Sequence, residues 1–330
     1  MRAIGGLIVA NIIVAGIVVA SSLAVAPQAA AQTYPARPIR VVIPASAGGT
    51  QDVFMRALGE GLLKRIGQPL VIENRPGGNF NIGARVCAEA APDGYTICML
   101  PNEALVYNQF LFKKLPYDPV KDLAPITNPF FATQAIVANA DLKVKSMAAL
   151  AALSQAKPNT LSYIAPGLPL WVFMENFKKL TGADMVRAPF RGGGETVKGV
   201  VSGTTPVAFS GLSNWASYLQ AGTIVGLAVD SPRRLPMIPD VPTIGELGYK
   251  IDLTRIYFGI VAPAGTPKPI LERLRNEIAE VINDPDFREK HLMSRGHEPV
   301  ANTPDEFAKF LTLDRLLSRR IVKDAGVEPQ

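Results

Sequence analysis

Residues 39–52 have the sequence IRVVIPASAGGTQD, which contains the strand, turn and helix start on which the fold prediction depends. The β-branched run at 39–44 predicts a buried strand. A helix is predicted over 51–66, because apolar side chains recur there at every fourth position, and Gly67 ends it. A strand, a glycine-rich turn and a helix in this order are typical of an α/β sheet.

Strands and helices continue to alternate through most of the chain. Further strands are predicted at 70–73, 95–100, 161–165, 185–188, 207–210 and 224–229. Further helices are predicted at 82–90, 170–180, 195–202 and 214–220, between Ser146 and Pro158, after Thr266-Pro267, and after the capping box that pairs Thr303 with Glu306. This alternation predicts parallel strands joined by right-handed helical crossovers.

Two extended apolar segments, 124–131 and 256–263, interrupt the alternation. If both pass between lobes, one lobe contains the two ends of the chain and the other contains the middle. We therefore predict a two-lobed α/β fold, with a mainly parallel sheet flanked by helices in each lobe and two crossover strands as a hinge. The expected lobes are 32–128 with 256–330, and 129–255. Ligands of such folds bind in the cleft at the carboxyl ends of the strands.

The first 31 residues differ from the rest of the chain. Arg2 precedes a long apolar run, and three alanines at 29–31 provide a small-residue cleavage pattern. This pattern is typical of a secretory signal peptide, so we expect export to the periplasm. The run is also long enough to span a bilayer, which makes an uncleaved anchor the alternative.

The composition narrows the possible functions. Hydrophobic residues make up 48% and charged residues 19% of the chain, which indicates a compact globular protein rather than a disordered one. The formal net charge is +6, with no block of Lys and Arg, so nucleic acid is not an expected partner. Cys87 and Cys98 are interpreted as small core residues; export would permit a disulfide between them, and the sequence leaves their pairing open. The only histidines are His291 and His297, and we expect neither a metal nor a cofactor.

The strongest candidate binding site is the loop that joins the first strand to the first helix. Glycine lets the backbone approach a ligand closely, and a helix N-terminus offers unpaired N–H groups to an anion. The ligand-binding candidates in this loop are Ala45, Ser46, Ala47, Gly48, Gly49, Thr50 and Asp52. Asp52 is also a candidate helix cap, because a free carboxylate would repel an anion. An ordinary strand-to-helix turn is the alternative interpretation of the whole loop.

Other candidates follow predicted strands elsewhere in the chain. Those of the second lobe are Pro166, Gly167, Leu168, Trp171, Ser210 and Gly211. Those of the first lobe are Asn81, which either contacts the ligand or braces the loop, and Asn102 and Glu103, which follow the third strand. A run of three glycines after Arg191 lacks the Gly-Lys-Ser/Thr ending of a phosphate-binding loop.

No catalytic residue is predicted. The chain contains neither a Gly-x-Ser-x-Gly nor a His-Glu-x-x-His motif, and its two histidines lie in a charged C-terminal stretch. We therefore expect a binding protein rather than an enzyme. The alternatives are a hydrolase acting on a small acid in the same cleft, and a purely structural cell-surface protein.

A series of short motifs resembles the substrate-binding proteins of the tripartite tricarboxylate transporters, also called the Bug family. The matching motifs are YPxxPIR at 34–40, ENRPG at 73–77, NIG at 81–83, APDGYT at 91–96, LPYDP at 115–119, PDVPT at 239–243 and APAGTP at 262–267. No single motif is decisive, but their order is specific, and the resemblance extends over 34–329.

The resemblance implies a periplasmic "Venus flytrap" that holds a small carboxylate through the first loop and presents it to a membrane permease. We expect a monomer. Three departures from the family pattern bear on the ligand: Ala47 before the two glycines, Asn102-Glu103 after the third strand, and the stiff, apolar segment 166–171. They favour an aromatic or hydrophobic monocarboxylate over citrate, bound for uptake or for sensing.

Overall fold

The computed structural model describes residues 34–189 and 193–330. The signal peptide expected at 1–31 lies outside the described residues. Arg37–Gln330 forms one compact unit, which contains every element named below.

Twelve strands within the described residues form two sheets. The strands are β1 (Ile39–Ile43), β2 (Leu70–Asn74), β3 (Thr96–Pro101), β4 (Leu123–Thr127), β5 (Phe130–Ala132), β6 (Gln134–Asn139), β7 (Leu161–Ile164), β8 (Met185–Arg187), β9 (Val207–Gly211), β10 (Ile224–Val229), β11 (Ile256–Pro263) and β12 (His297–Pro299). The first sheet has the order β12-β5-β11-β3-β1-β2, with β4 beside β11, and the second has the order β10-β6-β9-β7-β8.

Helices cover these sheets. They are α1 (Thr50–Ile66), α2 (Asn81–Ala88), α3 (Asn108–Leu111), α4 (Met147–Ala156), α5 (Leu168–Thr181), α6 (Gly193–Val201), α7 (Ala216–Gln220), α8 (Lys268–Asn283), α9 (Pro285–His291) and α10 (Pro304–Asp324). A π-helix at Glu103–Tyr107 follows β3, and 3₁₀ turns lie at Ala140–Leu142, Leu212–Asn214 and Met293–Arg295. The expected two-lobed α/β architecture is confirmed.

Both sheets are mixed. In the first, β1 pairs in parallel with β2 and β3, as the alternation predicted, whereas β11 runs antiparallel to β3, β4 and β5. In the second, β7 is parallel to β8 and β9, whereas β6 is antiparallel to β9 and β10. The antiparallel strands β6 and β11 each begin directly after a passage between the sheets. Neither passage contains a helix that could act as a crossover.

The chain passes from the first sheet to the second at Thr133 and returns after β10. Two hydrogen bonds join the start of β6 to the residue after β10: Gln134 N donates to the Asp230 side-chain Oδ1 at 2.8 Å, and Asp230 N donates to Gln134 O at 3.1 Å. Arg255, just before β11, lies 2.8 Å from Glu298 of β12. Polar and charged side chains therefore lie beside both passages.

The structure answers one question that the sequence left open, the pairing of the cysteines, and corrects one expectation, that Thr266 caps the helix after it. Cys87 and Cys98 form a disulfide, because α2 packs on β3 and brings their Cα atoms to 6.1 Å, within bridging range. Thr266 does not cap α8: its hydroxyl donates to the Pro263 carbonyl, and Pro267 occupies the N-cap position without a side-chain hydrogen bond. The capping box of Thr303 and Glu306 is confirmed.

Candidate functional site

The carboxyl ends of the parallel strands carry most of the predicted site residues. The loops after β1 and β3 lie at one edge of the first sheet, and the loops after β7 and β9 lie at one edge of the second. The two edges meet at Gly167 and Glu103, because a Cβ atom added to Gly167 would lie 3.6 Å from Glu103 Oε1. The fold thus brings residues of both sheets into one place.

The loop after β1 is exposed from Ser46 to Thr50. Gly48 has φ +83°, a conformation that favours glycine, and no atom lies within 4 Å of the place where its Cβ would be. Gly49 is the N-cap of α1 and makes no side-chain capping bond. The first-turn N–H groups of this 17-residue helix therefore have no acceptor within the helix, and its positive dipole end faces the loop.

Asp52 stabilises this loop from inside the protein. Its carboxylate, 3% exposed, accepts hydrogen bonds from Arg56 Nε at 3.0 Å and from the Gly48 N–H at 2.9 Å. The Arg56 guanidinium, followed by the Gly48 and Asn74 donors, holds the pKa of Asp52 below its usual range in spite of burial. Asp52 thus turns Gly48 N–H inward and shapes the turn.

Asn81 also braces the site. Its Oδ1 accepts from Asn108 Nδ2 at 2.7 Å and from the Tyr117 hydroxyl at 3.3 Å, and its side chain is buried. Asn74 Nδ2 donates to the Ala45 carbonyl at 3.0 Å, which fixes the start of the loop. Asn74 thus joins the end of β2 to the loop after β1, and Asn81 joins the start of α2 to the segment after β3.

The second sheet contributes a stiff and partly apolar loop. Gly167 has φ +75° and is the N-cap of α5, and Pro166 and Leu168 are partly buried on either side. Trp171 packs on the core of this sheet, and the Arg187 guanidinium lies 4.5 Å from its ring centroid.

Ser210 and Gly211 follow the same edge of the second sheet. Ser210 is buried, and its hydroxyl accepts from Trp215 Nε1 at 3.0 Å, so it fixes the position of Trp215. Gly211 is partly buried, at the end of β9.

A cavity of about 110 Å³ lies between the start of α1 and the second sheet. It is lined by Gly48, Thr50, Val53, Phe54, Ser213, His291, Arg295 and His297. Of these eight residues, only Gly48 and Thr50 were candidates from the sequence, and Ser213 lies in the loop that follows the candidate Gly211. The C-terminal stretch that carries His291, Arg295 and His297 has no motif, so sequence analysis missed these three. Only the folding of β12 against β5 brings His297 to the first helix.

Positive charge in this cavity comes from Arg295, because burial and the nearby Arg295 lower the pKa of His297 to about 4. His297 Nδ1 is buried without a hydrogen-bond partner. Burial, together with Lys290 and Arg295, also lowers the pKa of His291. Near neutral pH the cavity therefore combines one guanidinium, neutral imidazole groups and a helix N-terminus, which suits a small anion.

Within 34–189 and 193–330, no group of three or more His, Cys, Asp or Glu residues is placed to hold a metal ion. In the same ranges, no helix has both the length and the apolar character needed to cross a bilayer.

Residues 54–327 match the family model described as the tripartite tricarboxylate transporter family receptor. A UPF0065 protein of Bordetella bronchiseptica is 32% identical over 305 residues, which cover 92% of this chain and 90% of that protein.

Two solved structures are similar over nearly the whole chain. An R. palustris protein solved with adipate is 28% identical, with a TM-score of 0.79 over 90% of this chain and 100% of its own. The periplasmic binding protein BugD is 27% identical, with a TM-score of 0.75 over 90% of this chain and 100% of its own.

Proposed function

The chain belongs to the tripartite tricarboxylate transporter family receptors, and we propose on that premise that it binds a small carboxylate between its two sheets. Members of this family are periplasmic solute-binding proteins. Export of this chain to the periplasm is part of the proposal, and the segment 1–31 supports it.

The observation that carries the proposal is the cavity at the start of α1. Thr50 lies in the first turn of that helix, Arg295 supplies a permanent positive charge, and Ser213 adds a hydroxyl from the second sheet. A carboxylate bound here would accept hydrogen bonds from the helix N-terminus and an ionic contact from Arg295. The adipate complex of the R. palustris relative supports an acid as the ligand.

The ligand we propose is a monocarboxylate with an aromatic or hydrophobic body. Pro166, Leu168 and Trp171 form the apolar part of the second-sheet edge, and none of them carries an ionised group. A flat apolar body would pack there at less desolvation cost than the several carboxylates of citrate.

Binding would act by closing the two sheets on the ligand. A solute that contacts Thr50 on one side and Ser213 on the other favours the closed arrangement, and no covalent step is needed. The closed form would then be recognised by a membrane permease or by a sensor. We propose a monomer, because the ligand contacts named here all come from one chain.

The test is a thermal-shift and calorimetric screen of the purified protein against benzoate-like, aliphatic mono-, di- and tricarboxylic acids. At 100 times its Kd, a ligand should stabilise the protein by about 2.7 kcal/mol. Arg295→Gln should weaken binding about tenfold or more, whereas the matched change Arg319→Gln at an exposed helix position should not.

Two outcomes would contradict the proposal. Failure of every acid to bind would remove the carboxylate function, and binding of citrate in preference to benzoate-like acids would remove the proposed ligand class. Recovery of a chemically altered acid after incubation would instead support the hydrolase alternative.

A further inference from the structure

Glu103 places a carboxyl group where the two sheets meet. It lies two residues after the end of β3, is partly buried, and its Oε1 faces Gly167 of the second sheet. A closed cleft would bring this group against any ligand that extends from the loop after β1, because β1 and β3 are parallel neighbours.

The Glu103 carboxyl has no cationic partner among the described residues. Its own backbone N–H donates to it, and its charge is one of the causes that raise the pKa of the buried Tyr107 phenol. Burial raises the pKa of Glu103, because the charged form is poorly solvated there. A buried acid without a partner is unfavourable, so a ligand that supplies a donor would stabilise it.

Asn102, the residue before Glu103, is a second, independent indication that a hydrogen-bonding ligand binds here. Its side chain is 0% exposed, and both Nδ2 and Oδ1 lack a hydrogen-bond partner. Buried amides in folded proteins almost always have partners, so an unpaired one calls for a specific explanation. Asn102 thus offers unpaired amide atoms, and Glu103 a carboxyl group without a cationic partner, at the end of one central strand.

We propose that Glu103 and Asn102 select a monocarboxylate whose far end carries an N–H donor, either an ammonium or an amide; this deepens the binding function proposed above and rests on it. The acid end of the ligand lies at Thr50 and Arg295, and the apolar body lies against the second-sheet loop. The donor end pairs with Glu103.

A second carboxylate at the far end is disfavoured by the same geometry. It would meet the Glu103 carboxyl with no cation between them, and one of the two acids would have to take up a proton. This chain therefore differs in its far-end preference from the R. palustris relative solved with adipate.

The experiment uses ligands matched in length: hexanoate, 6-aminohexanoate, the monoamide of adipate, and adipate itself, together with 4-methylbenzoate, 4-(aminomethyl)benzoate, 4-carbamoylbenzoate and terephthalate. Calorimetry at pH 7.5 should give a Kd for at least one nitrogen-bearing acid that is about tenfold or more below that of the matching diacid.

Glu103→Gln should reduce the difference in Kd between the nitrogen-bearing acid and the matching diacid. The substitution removes the charge that attracts an ammonium and repels a carboxylate. Glu328→Gln, the same change at an exposed C-terminal position, should leave every Kd unchanged. Circular dichroism shows whether each variant is folded, and the ranking of ligands by the unaltered protein is informative even if Glu103→Gln fails to fold.

Tighter binding of adipate or terephthalate than of both nitrogen-bearing partners would overturn the inference and leave the carboxylate function standing. Equal Kd values for hexanoate and 6-aminohexanoate, unchanged in Glu103→Gln, would overturn the inference as well. In that case bound water, rather than the ligand, would pair with the Asn102 side chain. Binding of none of the acids would overturn the carboxylate function and the inference together.

Discussion

His297 lies flat against Phe130, with ring centroids 4.7 Å apart and 17° between the ring planes. Phe130 in turn contacts Phe54 of α1, with centroids 4.8 Å apart. A short C-terminal strand is thereby joined through two rings to the helix whose N-terminus faces the cavity. The imidazole is part of the apolar packing on one side and of the cavity wall on the other.

This packing predicts a loss of stability in acid. The pKa of His297 is about 4 in the folded protein and 6.5 ordinarily, because burial and Arg295 disfavour the charged form. Between these values the folded state binds fewer protons than the unfolded state, so the stabilisation is complete above pH 6.5 and is lost as the pH falls through 4. In His297→Gln the melting temperature should fall less between pH 6.5 and pH 4 than in the unaltered protein. His291→Gln should reduce this fall by a smaller amount. Equal slopes in the unaltered protein and His297→Gln would contradict this.

Asp230 should change stability with pH in the opposite direction to His297. Burial raises its pKa to about 7 from 3.8, although Arg255 opposes the shift; Glu298 adds to it. The folded state therefore binds more protons than the unfolded state between pH 3.8 and 7, and stability decreases as the pH rises through this range. Asp230→Asn, which keeps an acceptor for Gln134 N–H, should remove this decrease. Asp240→Asn, at an exposed position, is the control and should change nothing.

The disulfide should contribute measurably to stability. Cys87 and Cys98 are 11 residues apart, and closing a loop of that length is worth about 2–3 kcal/mol in the chain-entropy model. Cys87→Ala with Cys98→Ala should lower the free energy of unfolding in urea by about that amount. An equal stability of the double variant and the oxidised protein would show that the bond does not constrain the unfolded chain.

Gly259 in β11 lies where the surrounding core leaves no room for a side chain. A Cβ atom there would lie 2.8 Å from Leu105 Cδ1 and would overlap the ring of Phe307 in α10. Gly259→Ala should therefore destabilise the protein by about 1–3 kcal/mol through overpacking. Gly194→Ala is the matched control, because nothing lies within 4 Å of that position. Urea denaturation of both variants measures the difference, and equal midpoints would contradict the prediction.

The sequence predicted the elements well where periodicity and caps agree. The helix of residues 51–66 is α1, and the capping box of Thr303 and Glu306 begins α10 as expected. Strand direction could not be predicted in the same way. An apolar run such as that of β11 has the same pattern in a parallel and an antiparallel sheet, so its direction depends on tertiary pairing alone.

The candidate site shows a similar limit. The loop after β1 could be proposed from the sequence because glycines before a helix have a physical signature. The bonds of Asp52 to Arg56 and Gly48 support its structural interpretation. Arg295 and His297 were missed, because they reach the cavity only through the pairing of β12 with β5. No local pattern around these two residues encodes that contact.

The paired hydrogen bonds between Gln134 and Asp230 lie within the second sheet. Gln134 begins β6 and Asp230 follows β10, so these bonds extend the antiparallel pairing of the two strands one residue beyond Ala135 and Val229. The second sheet is therefore held together up to the residue at which the chain enters it. A relative movement of the lobes would bend the chain at Thr133 and ahead of β11 and would leave this pairing intact.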